Sequence, residues 1–260
     1  MIDRRFTARV VATTIVTASA GLLFARLPAA AAGMTGELVY NFTYSANQNI
    51  TARDSNQSVE STDPLGNYNG GGNGISHYGG SLTDKGTMTV KITGKQPDGA
   101  LIVSISESGE QLRKAPAATC VVYGTTQVIC DPNKTVYTEE YTLLRFLGSN
   151  FVDPNQLDAK KHWSIGPRGS MGEIVQADYV ITANNNGNMQ IGETRKIVQT
   201  GSGKLETDIE TKLGYDYNRS VPTSVAEYAT QRTDSGVSGT STTTYQTTLS
   251  LVSDSVAASP

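Results

Sequence analysis

Apolar and polar residues alternate with a period of two along most of this chain, and this pattern restricts what the chain can fold into. The first instance sets Leu38, Tyr40, Phe42 and Tyr44 against more polar neighbours. The pattern recurs around residues 88–92, 101–105, 175–181 and in the first part of 205–217, and further strands are expected around residues 189–199, 221–232 and 242–251. Such alternation predicts β-strands that bury one face and leave the other in solvent.

Short turn sequences separate these segments, for example at residues 96–99, 184–188, 201–203 and 235–239. Adjacent strands that are joined by short turns form an antiparallel meander. We therefore predict a mainly β fold of about nine or ten strands with one or two inserted helices. That many strands should curl into a barrel or half-barrel, and a β-sandwich is the alternative.

Two segments depart from the alternation. Residues 53–81 are so rich in glycine that we expect a flexible loop there. Residues 138–160 are expected to form a helical insertion packed on the sheet. Thr138 can cap a first helix of about ten residues, which Gly148 would end. Asp153 and Pro154 favour a second short helix that runs to Lys160. In element order the chain resembles periplasmic lipoprotein carriers, in which a curved sheet holds lipid against helices.

The two cysteines, Cys120 and Cys130, are predicted to form a disulfide bond across a hairpin. A three-residue turn at 124–126 would pair Tyr123 with Gln127, and Cys120 would then lie opposite Cys130. A two-residue turn would instead place Asp131 opposite Cys120. Bond formation also requires an oxidising compartment.

Residues 1–32 have the pattern of a cleavable secretory signal peptide. Arg4 and Arg5 precede an uncharged run, and the alanines before Gly33 predict cleavage between Ala32 and Gly33. An uncleaved anchor is the alternative, and the general and twin-arginine export routes both remain open. We expect residues 33–260 to form a single β-rich domain without a transmembrane segment, exported by a bacterium to the periplasm, cell envelope or medium.

The charge of the expected mature chain bears on its partners. Residues 1–32 hold four of the 21 Lys and Arg residues and one of the 24 Asp and Glu residues. The remainder carries 17 basic and 23 acidic residues, which gives a net charge of −6. A negative chain without a basic run is not attracted to phosphate backbones, so we expect no nucleic-acid partner.

The sequence contains no motif that identifies a catalytic residue, cofactor or metal site, and we predict none of these. Neither His77 nor His162 has a second histidine four residues later or a cysteine nearby, so neither has the spacing of a zinc site. Glu206, Asp208 and Glu210 share one face of a predicted strand and are expected to form a solvated face. A cation site or an acid–base pair is the alternative. The alternative is an enzyme whose active site is assembled from residues that lie far apart in the sequence.

Two hypotheses of function follow from these patterns. In the first, an exported non-enzymatic protein binds or carries a lipid or another apolar or amphipathic ligand in its curved sheet. In the second, a structural or adhesive module of the cell envelope acts through its surface, contacts other envelope components and holds no ligand cavity. The sequence does not indicate an oligomeric state.

Overall fold

The computed structural model describes residues 35–53, 69–71, 75–110, 114–123, 127–148, 152, 162–170, 173–201, 203–235 and 239–256. These residues form one antiparallel sheet and one helix, and this confirms the predicted mainly β class. The expected signal peptide, with Ala32 and Gly33, lies outside them. Within the described ranges, no helix combines the length and the apolar character that crossing a bilayer requires.

The first half of the sheet contains β1 (Gly36–Arg53), β2 (Asn69–Gly71), β3 (Ile75–Lys95), β4 (Leu101–Gly109), β5 (Lys114–Tyr123) and β6 (Gln127–Cys130). The helix α1 (Thr138–Arg145) follows. The second half contains β7 (His162–Ser170), β8 (Glu173–Asn185), β9 (Asn188–Thr200), β10 (Lys204–Asp216), β11 (Val221–Asp234) and β12 (Gly239–Asp254).

The strands lie in the order β6-β5-β4-β3-β1-β12-β11-β10-β9-β8-β7, and β2 pairs with β3 beside this path. Two meanders therefore meet at the pairing of β1 with β12. The described sheet has 12 strands instead of the nine or ten that we expected. One strand missed is β7, in which the register breaks between Ile165 and Arg168 around Pro167. Proline is tolerated there because β7 is an edge strand.

The prediction of a loop over residues 53–81 is wrong for part of that range. β2 lies within it, and β3 begins at Ile75, where it pairs with Arg53 of β1. The glycines of β3 keep strand geometry here because their backbone pairs with β1, which extends to Arg53. Residues 54–68 and 72–74 lie outside the described ranges.

The sheet curls without closing. The hydroxyl of Tyr215 in β10 donates to the Gly148 carbonyl at 2.7 Å. A Cβ atom on Gly148 would lie 3.4 Å from Leu101 Cδ1 in β4. β4 and β10 are five strand spacings apart in the sheet, about 24 Å if it were flat. Two side chains and one residue cannot bridge that distance, so the sheet bends around the segment that follows α1.

Helix α1 begins at Thr138, where the sequence predicts, and ends at Arg145, two residues before the predicted end at Leu147. The expected cap was Thr138, but Thr138 is the first helical residue. The N-terminus of α1 is instead capped by a hydrogen bond of 2.8 Å, which the Tyr137 N–H donates to Glu140 Oε2. Gly148, with φ of 89°, lies just after the helix as expected. The second predicted helix, at residues 153–160, lies outside the described ranges.

The predicted disulfide is confirmed. Cys120 and Cys130 are bonded and lie directly opposite each other, with a Cα–Cα distance of 4.0 Å. Tyr123 pairs with Gln127, as the three-residue turn requires. The alternative pairing of Cys120 with Asp131 is therefore wrong.

One face of the sheet, called the inner face here, carries the core. The core is continuous from β4 through β1 to β8, and α1 packs into it with the residues that follow it. Fully buried members include Tyr40, Phe42, Leu143, Phe146 and Tyr179. The opposite face, called the outer face, bears most of the charged side chains of β8 to β12.

Candidate functional site

A row of side chains crosses the inner face at the level of α1. Strand register places one residue from each of six neighbouring strands in this row: Trp163, Tyr179, Glu193, Thr211, Glu227 and Thr247. All six are less than 9% exposed. Two carboxylates in such a row would be costly to bury unless hydrogen bonds and a counter-charge compensated them.

Helix α1 supplies that compensation. Arg145 places Nη1 3.3 Å from Glu193 Oε1 and Nη2 2.5 Å from Glu227 Oε2. The Thr142 hydroxyl donates to Glu227 Oε1 at 2.9 Å. From the sheet, Tyr179 donates to Glu193 Oε1 and Thr211 donates to Glu193 Oε2, at 2.9 and 2.8 Å. Every oxygen of the two carboxylates therefore accepts a hydrogen bond, and the helix is held to the sheet.

The titration of this network follows from its burial. Burial alone would lower the pKa of Arg145, but Glu193 and Glu227 raise it above its ordinary value. Burial, and then Glu193, raises the pKa of Tyr179. The guanidinium therefore stays charged and the phenol stays protonated, as their hydrogen bonds require. The network is a structural element rather than an acid–base pair.

A second cation, Arg195, lies one step further along β9 on the same face. Its side chain is 13% exposed, and its nearest carboxylate oxygen, Glu193 Oε1, is 3.8 Å from Nη1. In the structure as described, Nε and Nη1 are buried and make no hydrogen bond. Burial, and then the charge of Arg145, lowers the pKa of this group. A buried guanidinium with unused donors is the most unusual polar feature of the inner face.

Arg195 interrupts a row that is otherwise apolar. This row, called the Arg195 row here, contains Ile165, Ala177, Arg195, Ile209, Ala229, Tyr245, Ala46 and Leu82, in the order of their strands. Ala177 and Ala229 are buried, and the others are half-buried. Val175, Ile197 and Leu205, also half-buried, continue the apolar surface beyond it. Apolar side chains therefore flank Arg195 within its own row, whereas the polar row of Glu193 and Thr211 lies on one side of it.

The outer face contains the acidic residues that the sequence singled out. Glu206 lies 2.9 Å from Lys204, and Asp208 lies 2.8 Å from Arg232. The hydrogen bond from Lys204, and then its positive charge, lowers the pKa of Glu206. Glu210 follows them on the same side of β10. The three side chains thus lie on a charged, solvent-facing surface, as the first interpretation expected.

The two histidines are not brought together as a site. His162 is exposed at the start of the edge strand β7, and its neighbour Trp163 stacks on Tyr179 with ring centroids 5.0 Å apart. His77 lies in β3 opposite Thr51, and its side chain is outside the described part. Among the residues whose positions are described, no three His, Cys, Asp or Glu side chains cluster as metal ligands would.

Sequence reasoning missed Glu193, Arg195 and Glu227, although the sequence holds a signal for them. Each occupies an apolar phase of a strand: Glu193 and Arg195 follow Met189 and Ile191 at intervals of two, and Glu227 follows Val225. A charged residue in the buried phase of a strand indicates a buried pair or a ligand contact. The exceptions to the alternation therefore mark the buried charges, just as the alternation itself marks the strands.

No family model and no curated protein matches the chain. One solved structure, described as lipid–protein interactions in lipovitellin, matches with a TM-score of 0.42 and 11% sequence identity. The match covers 86% of this chain and 26% of that structure, so the chain spans about a quarter of its length.

Proposed function

We propose that this chain is an exported, non-enzymatic protein that binds an amphipathic ligand with an acidic head group on the inner face of its sheet. The observation that carries the proposal is Arg195, a buried guanidinium whose Nε and Nη1 have no hydrogen-bond acceptor within the described structure. Unused buried donors favour a ligand that brings an acceptor. A carboxylate is such an acceptor, and its negative charge is opposite to that of the Arg195 guanidinium.

The neighbouring carboxylates do not satisfy Arg195. The oxygens of Glu193 and Glu227 already accept hydrogen bonds from Arg145, Thr142, Thr211 and Tyr179. Glu193 lies near Arg195 but beyond hydrogen-bond distance. Arg195 is therefore held in place electrostatically while its donors remain available.

The surface beside Arg195 suits an acyl chain. From Arg195 the row continues over Ile209 and Ala229 to Tyr245, which is three strand spacings or about 14 Å. An acyl chain in a bilayer spans one leaflet of the hydrocarbon core, about 15 Å, which is close to the length of this row. A ligand with its acidic group at Arg195 would thus place a chain of ordinary length on apolar side chains. Each buried CH₂ group would add about 0.8 kcal/mol.

The test compares a fatty acid with its methyl ester. The purified mature chain is delipidated and titrated with palmitate or methyl palmitate against a displaceable fluorescent acyl probe. A charge-assisted hydrogen bond of about 1.5–3 kcal/mol should make palmitate bind about 10- to 100-fold more tightly than the ester. In the variant Arg195→Met this preference should disappear while the ester still binds. Equal affinities in the unmodified chain, or no binding of either ligand, would overturn the proposal.

Export is the second part of the proposal and rests on residues 1–32. A charged start, an uncharged run and an alanine-rich end support cleavage after Ala32, with delivery to the periplasm, envelope or medium. The Cys120–Cys130 disulfide is compatible with an oxidising compartment. N-terminal sequencing of protein from the expressing cell's envelope or medium tests this part. A chain that begins at Gly33 is expected, and an intact Met1 in the cytoplasm would contradict it.

A structural or adhesive envelope module is the second candidate. The observation that favours it is the packing of the inner face beneath α1, where Leu143, Leu144 and Phe146 are fully buried. If no acyl ligand binds, a protein that acts through its outer surface becomes the better interpretation. Native mass spectrometry of the chain isolated from its own envelope distinguishes the two: the first predicts a co-purified acidic lipid, and the second a ligand-free mass.

A further inference from the structure

The outer face carries a second row of side chains that the proposed lipid site does not use. Strand register places Asp178, Thr194, Glu210, Tyr228 and Gln246 side by side on β8 to β12. This set is called the Tyr228 row. Tyr228 lies between Glu210 and Gln246 in this row and is 50% exposed, which is unusual for so large an aromatic side chain.

Two adjoining grooves meet at this row. The first has a volume of about 500 Å³ and is bordered by Val180, Lys212, Ala226 and Thr248. The second has a volume of about 570 Å³ and is bordered by Lys196, Asp208, Thr230 and Arg232. Asp178, Thr194, Glu210 and Tyr228 line both of them. The Tyr228 ring is therefore a shared wall of one elongated depression on the sheet.

The polar groups in these grooves are of two kinds. Asp208 is bonded to Arg232, and Asp178 accepts a hydrogen bond from Ser164, so these side chains are held in position. By contrast, Glu210, Tyr228 and Gln246 make no side-chain hydrogen bond within the part of the chain that the structure describes. An acid, a phenol and an amide next to one another thus offer both donors and acceptors to a ligand.

The charges of the grooves indicate what kind of ligand fits. On the outer face, three carboxylates, Asp178, Asp208 and Glu210, are matched by three cations, Lys196, Lys212 and Arg232. Glu193, Glu227 and Arg195 also border the grooves, but their side chains belong to the inner face. A balanced set gives no net field that would attract an anionic or a cationic polymer. The site also lies on the face of the sheet, so an added peptide strand could not pair with it.

We propose that the Tyr228 row binds a neutral oligosaccharide. Sugar rings present a C–H face that packs on an aromatic ring, and their hydroxyls both donate and accept hydrogen bonds. Tyr228 would supply the ring, while Glu210 and Gln246 would hold hydroxyls on either side of it. The two grooves provide room for sugar units before and after the stacked one. This site is independent of Arg195 and would attach the protein to a glycan while the inner face holds its ligand.

The experiment uses the mature chain on an array of neutral hexasaccharides of glucose, mannose, xylose or N-acetylglucosamine, with polygalacturonate and chitosan as charged comparators. At least one neutral glycan should bind, and its affinity should be nearly the same at low and high salt. Tyr228→Ala should weaken binding by about tenfold or more, and Tyr228→Phe should retain most of it. Ile174→Ala removes an equally exposed side chain from the same face outside both grooves and should have no effect.

Three outcomes would overturn the inference: no neutral glycan binds, only a charged polymer binds, or Tyr228→Ala binds as the unmodified chain does. The Arg195→Met variant separates this site from the proposed lipid site. It should bind glycan normally, and Tyr228→Ala should bind palmitate normally. Failure of one proposal would therefore leave the other intact.

Discussion

Arg145 of helix α1 lies 2.5 Å from Glu227 of β11, although the two residues are 82 positions apart in the sequence. The same guanidinium contacts Glu193 of β9, so one side chain connects the helix to two strands that are not neighbours. These groups are nearly inaccessible to solvent, with side-chain exposures of 12%, 1% and 6% for Arg145, Glu193 and Glu227. The position of the helix on the curled sheet therefore depends on this buried triad.

Arg145→Met should destabilise the protein strongly. The substitution keeps the apolar stem but leaves two buried carboxylates without their counter-charge, and breaking such a group costs about 3–5 kcal/mol. Urea unfolding followed by circular dichroism measures the loss. The control is Arg232→Met, which breaks an exposed pair with Asp208 and should change stability by less than about 1 kcal/mol. Equal effects of the two substitutions would contradict this account of α1.

Arg195→Met, unlike Arg145→Met, should stabilise the ligand-free protein. Removing a buried guanidinium with unused donors relieves its desolvation cost, so the free energy of unfolding should rise by about 1–3 kcal/mol. Adding palmitate should stabilise the unmodified protein more than the variant, since only the former retains the head-group partner. Thermal unfolding with and without palmitate measures both effects. Strong destabilisation of the ligand-free variant would mean that Glu193 already compensates Arg195 fully.

Alkaline pH should destabilise the protein steeply. Burial raises the pKa values of Tyr40, Tyr179 and Tyr215, whereas tyrosines of an unfolded chain ionise near pH 10. The contribution of these tyrosines to the free energy of unfolding is present in full below about pH 10. It is lost as pH rises above about 10, because the unfolded chain then releases protons that the folded chain keeps. Three such groups imply a loss of about 4 kcal/mol per pH unit.

Tyr40→Phe provides the matched control for that slope. It removes one buried phenol, whose hydroxyl donates to the Pro222 carbonyl at 2.8 Å, and leaves the ring in place. The pH dependence above about pH 10 should fall by one third, although the variant is less stable at neutral pH. Urea titrations at several alkaline pH values measure the slope. An unchanged slope would show that Tyr40 does not take part in the alkaline transition.

Reduction of the Cys120–Cys130 bond should cost about 2–3 kcal/mol, as expected for a short closed loop. The bond constrains the unfolded chain, and the strand register of β5 and β6 does not depend on it alone. Dithiothreitol on the unmodified protein tests the bond without removing a sulfur atom. The double variant Cys120→Ala and Cys130→Ala should lose more, because Cys120 is fully buried and its truncation leaves a cavity. Identical stability with and without dithiothreitol would show that the bond constrains little.

Gly86→Ala should be among the most damaging small substitutions in the sheet. A Cβ atom at Gly86 would overlap the Ser108 carbonyl oxygen and approach Gly109 Cα to 2.9 Å, so β3 and β4 would have to separate. We expect a loss of about 2–4 kcal/mol. Gly94→Ala in the same strand is the control, since its Cβ would meet only Ile102 Cδ1 at 3.9 Å. Thermal unfolding of both variants decides the matter, and equal losses would contradict the predicted clash.

The strands were predictable because their signal is local. Alternation at Leu38 to Tyr44 and at Val175 to Ile181 needs only a buried and an exposed face, and β1 and β8 have both. The cysteine hairpin was predictable for the same reason, since its register follows from one short turn. The extension of β3 back to Ile75 was not predictable, because glycine-rich segments join a ladder only when a neighbouring strand is present.

The candidate sites depend on contacts that local patterns do not determine. Arg145 falls within the first predicted helix, and nothing near it in the sequence indicates Glu193 or Glu227 as its partners. Arg195 lies in an apolar row only because distant strands pair beside it. Ala46, one member of that row, is about 150 residues away in the sequence. Tyr228 and Glu210 come together through the register of β10 with β11, which depends on the bulge between Gly214 and Tyr215. Register between distant strands is a property of the whole sheet.

The pairing of β1 with β12 has a consequence for how this protein acquires its structure. Glu37 and Ser255, which are hydrogen-bonded at this central seam, are 218 positions apart in the sequence. Each meander can assemble from near neighbours, but the seam cannot close until the chain has been synthesised through β12. Until then β1 presents a long edge that can pair with other chains. A chain built in this way folds slowly for its size and benefits from a holding factor that covers β1 until β12 arrives.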